Sequence, residues 1–382
     1  MSSLTDTPKA NRIHIAFFGL RNAGKSTLVN AFAGQEIAIV SNVAGTTTDP
    51  VSKTMEILPL GPCVLTDTAG LDDVGELGAM RVRKSFAVLA SADIAVWVVG
   101  DATEGNSRST EAFRLFSEEC AKRGVAVLEY RRDENVEHFR KRVAAVKVSE
   151  QTKPIVGDLI SEGDSVLLVC PQDASAPKGR LILPQQQVIR EILDAGGMAQ
   201  ICQPGGLPSM VDVYRSCRFA ITDSQAFAET DAMLPEGMPL TSFSILFARA
   251  KGELDVYCKG LEALKTLEDG DIVLVAEGCT HHRQCGDIGT VKLPKAISRM
   301  TGKNLDFRFC SGSDFPFEVC RPKLVVQCGG CMLTRREMLR RMALAQEAGV
   351  PITNYGLVLA AANGIEADPA TCMVRRRSDR AV

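Results

Sequence analysis

Short apolar runs at 13–18, 63–66, 94–99 and 125–128 punctuate the first third of the chain, and the polar stretches between them carry apolar residues at helical spacing, at 81–89 and 110–120. Runs of that length fit strands covered on both faces, and strands separated by helices predict a parallel α/β sheet. From about Pro154 the texture changes. Proline and glycine clusters (PQDASAPKGR, QPGGLP, PEGMP) separate strand candidates at 165–169, 219–222 and 240–242. A long helical pattern follows from 245 to 267, with Leu246, Ala250, Leu254, Tyr257 and Leu261 on one face. Strands at 272–276, 305–309 and 323–327 and a helix at 335–348 complete it. The expectation is an α/β chain of three domains, 1–152, 153–244 and 245–382, in keeping with its 382 residues. The arginines of 375–377 read as a solvated tail.

Composition narrows the class. With 45% hydrophobic and 24% charged residues the chain is neither collagen-like, mucin-like nor disordered. Lysine and arginine number 44 against 46 acidic residues, a formal charge of −2, so no overall basic field recruits nucleic acid or an anionic membrane. No apolar run approaches the length of a membrane span. The first dozen residues are polar and lack the apolar core of a secretory signal, which leads to the expectation of a cytoplasmic protein. In a reducing compartment the thirteen cysteines become buried thiols, metal ligands or redox groups.

Candidate chemistry begins at Gly19-Leu20-Arg21-Asn22-Ala23-Gly24-Lys25-Ser26, a full G-x-x-x-x-G-K-S placed after a strand and before a helix. Glycines let backbone N–H groups cradle phosphate oxygens, and the helix adds its positive end. Lys25 reaches the terminal phosphates, the Ser26 hydroxyl holds Mg²⁺, and Thr27 follows in the same nucleotide-binding turn. Asp67-Thr68-Ala69-Gly70 follows a strand, suiting an aspartate that meets Mg²⁺ and a glycine N–H that faces the γ-phosphate.

With Gly45-Thr46-Thr47-Thr48-Asp49 upstream, this segment resembles the translation-factor-like GTPases of the Era and MnmE type. The resemblance implies GTP as substrate, Thr47 as a second Mg²⁺ ligand, and Asn22 as support for a K⁺ that substitutes for an arginine finger. Lys25, Thr47, Asp67 and Gly70 are then the catalytic set. Leu71 stands where a water-orienting glutamine would be. Guanine selectivity in that group comes from N-K-x-D, and here the stretch reads Tyr130-Arg131-Arg132-Asp133, so only Asp133 remains. The expectation is weaker and less selective GTP binding, each lost bidentate contact being worth about 1–3 kcal/mol by analogy with base recognition.

A second constellation lies further on. Cys279-Thr280-His281-His282 and Cys328-Gly329-Gly330-Cys331 each begin where a strand candidate ends, and carboxyl ends of parallel strands form ligand crevices. Three thiolates with a nearby imidazole suit either an iron–sulfur cluster or zinc. His281 and His282 read equally as ligands, as donors behind a ligand or as surface residues. Cys170, Cys217 and Cys258 lie in apolar or helical patterns and read as core, with Cys285, Cys310 and Cys320 between the two cases.

The later segments resemble the HydF family, the maturation GTPases of iron-only (FeFe) hydrogenase. The likeness is carried by PIVGDLI, APKGRLILPQ, ITDSQAF, PLTSFSILFARAKG, EGCTHHRQCGDIG, TGKNL, SGSDFPFE, CGGCMLTRREM and GVPITNYG. It implies a P-loop GTPase domain followed by dimerisation and cluster-binding domains. It also implies a 4Fe-4S cluster on Cys279, Cys328 and Cys331, and a role as scaffold and carrier of the two-iron precursor. The partners implied are the FeFe-hydrogenase apoprotein, the radical-SAM maturases and a second copy of the chain, with no nucleic acid and no membrane. Gln327 departs from the family's histidine. A glutamine amide is a poor iron ligand, so the fourth position falls to His281, another side chain, water or the incoming precursor. The competing readings are an Era/MnmE-like switch in RNA modification or ribosome assembly with a structural zinc, and a scaffold whose GTPase has decayed.

Overall fold

A computed structural model of the chain describes residues 12–34, 51–71, 85–86, 88–89, 91–100, 107–146, 153–172, 181–278, 287–312 and 315–376. Two compact units emerge, Met1–Glu150 and Gln151–Val382. Among the described residues, no helix is long and apolar enough to cross a membrane.

The first unit holds a five-stranded sheet of β1 (Ile13–Phe18), β2 (Val51–Ile57), β3 (Gly61–Asp67), β4 (Ile94–Val99) and β5 (Ala126–Arg131) in the order β2-β3-β1-β4-β5. All neighbours are parallel except β2 and β3. The unbroken apolar run of β1 follows from this. Ile15 and Phe17 face one core with Phe32 of α1 (Lys25–Ala33) and Phe139 of α3 (Val136–Ala144). Ala16 and Phe18 face the other, with Trp97 and with Phe116 of α2 (Ser107–Lys122). A strand covered on both sides has no polar face to show. β2 is absent from the sequence expectation. Its residues alternate, Ser52, Thr54 and Glu56 exposed and Ile57 buried, as suits the edge it occupies. Of the helix expected at 81–89, residues 81–84 and 87 lie outside the described set; Ser85, Phe86, Val88 and Leu89 are helical.

The second unit contains two sheets. One has six strands: β6 (Ser165–Val169), β7 (Met198–Cys202), β8 (Cys217–Thr222), β9 (Leu240–Ser242), β14 (Ile365–Ala367) and β15 (Val374–Arg376), ordered β14-β15-β9-β8-β6-β7. The other has four parallel strands: β10 (Ile272–Ala276), β11 (Asp306–Cys310), β12 (Leu324–Gln327) and β13 (Ile352–Asn354), ordered β11-β10-β12-β13. One hydrophobic core runs through both sheets, joining Val166, Leu168 and Ile221 to Leu274 and Val325. The end of the chain returns to the first sheet, where β15 pairs antiparallel with β9 and β14. Arg375 and Arg376 therefore belong to a strand, not to the solvated tail expected of them.

The helix expected across 245–267 is broken. It forms α4 (Phe243–Lys251), α5 (Leu254–Leu261) and a 3₁₀ turn at Glu262–Thr266. Gly252 leaves the helix with φ −128° and ψ −154°, and a Cβ there would lie 2.6 Å from Cε2 of the buried Tyr257 ring. Packing of that ring needs the missing side chain, and the chain turns at that point.

Candidate functional site

Two sites stand at the carboxyl ends of parallel strands, one in each unit. In the first, β1 runs into the turn from Gly19 to Gly24 and α1 begins at Lys25. Lys25 is buried, and its ammonium donates to the carbonyl oxygens of Leu20 at 2.8 Å and Gly19 at 3.3 Å. Ser26 Oγ donates to Asp67 Oδ2 at 2.6 Å, bringing the end of β3 onto the start of α1. Thr68 Oγ1 donates to Phe17 O at 2.7 Å, and Leu71 N to Gly19 O at 3.2 Å, so the Asp67–Gly70 segment is laced to the turn. Asp67 is fully buried, and its Oδ1 has no partner among the described residues. Burial pushes its carboxyl above the usual carboxylate range, opposed by the Ser26 hydrogen bond and the Lys25 charge. A hydroxyl beside a carboxylate with one oxygen uncommitted is a hard-oxygen set that fits Mg²⁺.

Asn22 is exposed and left-handed, φ 61°, and Thr27 is exposed on the first turn of α1, while Gly70 is buried. Thr47 lies outside the described residues. Tyr130, in the place of the base-reading asparagine, is a core residue: its ring meets Phe139 edge-on at 4.9 Å and its hydroxyl donates to Glu134 O at 3.1 Å. Asp133 is exposed. Sequence reasoning missed Arg132, whose guanidinium lies beside the phosphate turn: a Cβ on Gly24 would come within 3.6 Å of its Nη2.

In the second unit β10 and β12 lie side by side, Ala276 opposite Gln327, so the segments that follow them start together. Cys328 N donates to Ala276 O at 2.9 Å. Gly278 N donates to Cys328 Sγ at 3.0 Å and Gly330 N to the same sulfur at 3.3 Å. Cys310 ends β11 on the opposite side of β10, where its carbonyl accepts from Glu277 N at 2.9 Å. Cys328 and Cys331 are partly buried on one turn. Cys279 and His281, with His282 and Cys285, lie outside the described residues. Among the described residues no three His, Cys, Asp or Glu side chains gather as a metal site. Cys170 is buried as expected, and Cys217 and Cys258 are partly so.

Two charged residues around this turn, Lys251 and Arg341, were invisible to motif reading. Lys251, at the end of α4, donates to the carbonyls of Leu333 at 2.6 Å, Gly330 at 3.1 Å and Cys331 at 3.3 Å. Arg341 of α6 (Arg335–Glu347) is fully buried; it donates to Glu337 at 2.9 Å, Gln327 Oε1 at 3.3 Å and the Gly312 carbonyl. Gln327 is fully buried too, its Nε2 donating to Ala276 O at 3.2 Å and facing Cys328 Sγ at 3.7 Å. The amide is committed to its neighbours at both ends. Burial raises the Cys328 thiol, against N–H donation from Gly330 and Gly278. Burial likewise pushes Cys331 up to about 11 and Lys251 down to about 8.

The turn tolerates little. Gly330 has φ 69°, and a Cβ on it would sit 2.5 Å from Sδ of the buried Met338. Gly330→Ala should destabilise the protein by about 1–2 kcal/mol for the left-handed backbone and a further 1–3 kcal/mol for overpacking. Chemical denaturation of the metal-free protein checks this; an unchanged midpoint would contradict it.

Residues 14–130 match the family model of a 50S ribosome-binding GTPase, 155–252 that of the hydrogen maturase F dimerization domain, and 255–367 that of the hydrogen maturase F tetramerization domain. The tRNA modification GTPase MnmE of Endomicrobium trichonymphae is 38% identical over 97 residues, covering 24% of this chain and 20% of that protein. MnmE of Ralstonia nicotianae is 42% identical over 83 residues, covering 22% of this chain and 17% of that one. The chain thus spans about a fifth of the length of these curated relatives. A crystal structure of an Aquifex aeolicus Era variant bound to GDP·AlF4− aligns with 78% of this chain and 92% of its own at 15% identity, with a TM-score of 0.27, too loose a superposition to argue from. The two maturase matches abut and together take in more than half of the residues, behind a P-loop GTPase domain: this chain belongs to the hydrogen maturase F family.

Proposed function

We propose that the chain is a GTP-hydrolysing scaffold that carries an iron–sulfur cluster and serves the assembly or delivery of the two-iron precursor in FeFe-hydrogenase maturation. The single observation that supports it best is the Gly278 N–H on Cys328 Sγ. In the sequence the residue after Gly278 is Cys279, the third cysteine of the proposed set. Sulfur donors, N–H groups aimed at Cys328 and a turn built on glycine fit a cluster held by Cys279, Cys328 and Cys331, with His281 as a further candidate. Bound there, a cluster supplies electron storage and an iron position open to exchange, since Gln327 is occupied elsewhere.

The expected partners are the hydrogenase apoprotein and the radical-SAM maturases, with a homodimer or higher assembly through the segments matching dimerization and tetramerization domains. Anaerobic purification followed by iron, sulfide and zinc analysis tests the central claim. Iron and sulfide in near-equal amounts support it; a colourless zinc protein would favour the RNA-modification switch.

Hydrolysis is assigned to Lys25 on the phosphates, Ser26, Thr47 and Asp67 around Mg²⁺, and the Gly70 N–H at the γ-phosphate, with base contact left to Asp133. Asn22 is assigned to K⁺. GTP turnover should then be at least about tenfold faster in KCl than in NaCl of equal ionic strength, the equivalent of 1.36 kcal/mol off the barrier. Asn22→Ala should erase the difference, and equal rates in the two salts with wild-type protein would remove potassium from the mechanism.

A further inference from the structure

Lys251 is only 7% exposed. Its three donors are used on three carbonyl oxygens of one turn, Gly330, Cys331 and Leu333, and the Phe247 ring centroid lies 5.7 Å away. The hydrogen bonds are complete, but the charge is not. Among the described residues no Asp or Glu carboxylate pairs with this ammonium; the acidic groups coupled to it are the thiols of Cys331 and Cys328, which burial keeps protonated until a cation takes the sulfur. Arg341, the other buried cation near the turn, is different, because Glu337 Oε1 accepts from its Nε at 2.9 Å.

A buried ammonium without a counter-ion is among the costliest arrangements in a folded chain, and an apolar side chain of the same length would fill the space without that cost. With no carboxylate paired to it among the described residues, its presence points to a negative group at the turn, and a bound anion would supply one. A four-iron cluster ligated by cysteine thiolates is an anion, more so when reduced.

We infer that Lys251 is the built-in counter-ion of the cluster, a positioning residue that holds the Gly330–Leu333 carbonyls and favours the reduced cluster over the oxidised one. This rests on Cys328 and Cys331 holding the cluster, as proposed above. Coulomb attraction across a water-poor site makes the effect of one charge large. Among the described residues Arg341 also acts on Cys328, but its guanidinium is ion-paired with Glu337, which Arg340 shares, whereas Lys251 has no carboxylate partner.

The test compares wild-type protein with Lys251→Met and Lys251→Arg, each reconstituted with iron and sulfide and titrated with dithionite under EPR. Lys251→Met should keep its iron yet show, at fixed poise, a roughly tenfold smaller reduced-to-oxidised ratio, a downward shift of about 59 mV for a one-electron couple. Lys251→Arg should return towards the wild-type potential. A methionine variant that loses iron while the arginine variant retains it would also support a requirement for charge. The inference is overturned if Lys251→Met holds its cluster at the wild-type potential. It is overturned equally if both variants lose iron, which would make the residue a structural clamp. Wild-type protein that takes up no iron at all defeats the cluster reading itself, before Lys251 enters.

Discussion

Cys328→Ser protein, purified anaerobically, should come out without iron, sulfide or brown colour. The sulfur of Cys328 is the best prepared atom of the second site: two backbone N–H groups, from Gly278 and Gly330, already donate to it. Such donors favour the thiolate and lower the cost of binding a cation there. Serine keeps the shape but offers a hard oxygen that stays protonated, where iron–sulfur clusters take soft thiolates. On the proposed ligand set, the substitution leaves two thiolates for a cluster that needs at least three. GTP turnover gives the internal control, because residues 13–133 supply every group assigned to it. A Cys328→Ser protein with unchanged iron and sulfide would refute the ligand assignment outright. One that lost GTP turnover as well would point to general misfolding, which thermal melting of the metal-free forms separates.

How much of this is legible without coordinates depends on how local the chemistry is. The phosphate turn is legible because its function requires fixed spacing over eight positions; that Ser26 meets Asp67, 41 positions further on, is decided by the fold. The C-x-x-C turn is legible for the same reason. Lys251 is not, because what makes it unusual is what faces it, across 79 to 82 positions of chain. In isolation it reads as an ordinary basic residue near a helix end. Arg341 did leave a signal: it stands in the apolar stripe of Met338, Met342 and Ala345, where a charge is out of place unless partnered. Gln327 reads as a lost ligand in the motif, whereas in the fold it joins Arg341 to the Ala276 carbonyl, a role set by a residue fourteen positions away.

The elements that went unread share a cause. β2 is an edge strand with one exposed row, β13, β14 and β15 are three residues each, and none carries the continuous apolar run that marks a central parallel strand. The over-long helix came from trusting a periodicity that Gly252 interrupts. The return of the last strands to the sheet begun at 165 is a matter of tertiary pairing, to which no local pattern corresponds.

Lys25→Ala should lower GTP turnover by at least about 10²–10³-fold, the loss that follows removal of one preorganised donor from charge developing in a transition state. The geometry explains the size. Lys25 is held against the carbonyls of Gly19 and Leu20, so its ammonium is already inside the turn and needs little reorganisation to meet phosphate oxygens. Alanine removes that charge and also leaves two carbonyls with one donor fewer, a loss of about 1–3 kcal/mol where the group is buried. Lys25→Met retains the packing of the stem while removing the charge and its two hydrogen bonds, so its melting temperature reads the cost of the lost donors apart from the loss of turnover. If Lys25→Met melts like wild-type protein yet hydrolyses GTP at the wild-type rate, the first site is not the hydrolytic centre. If it binds nucleotide weakly and turns over slowly, with iron content unchanged, then GTP hydrolysis and cluster binding are separate chemistries on one chain.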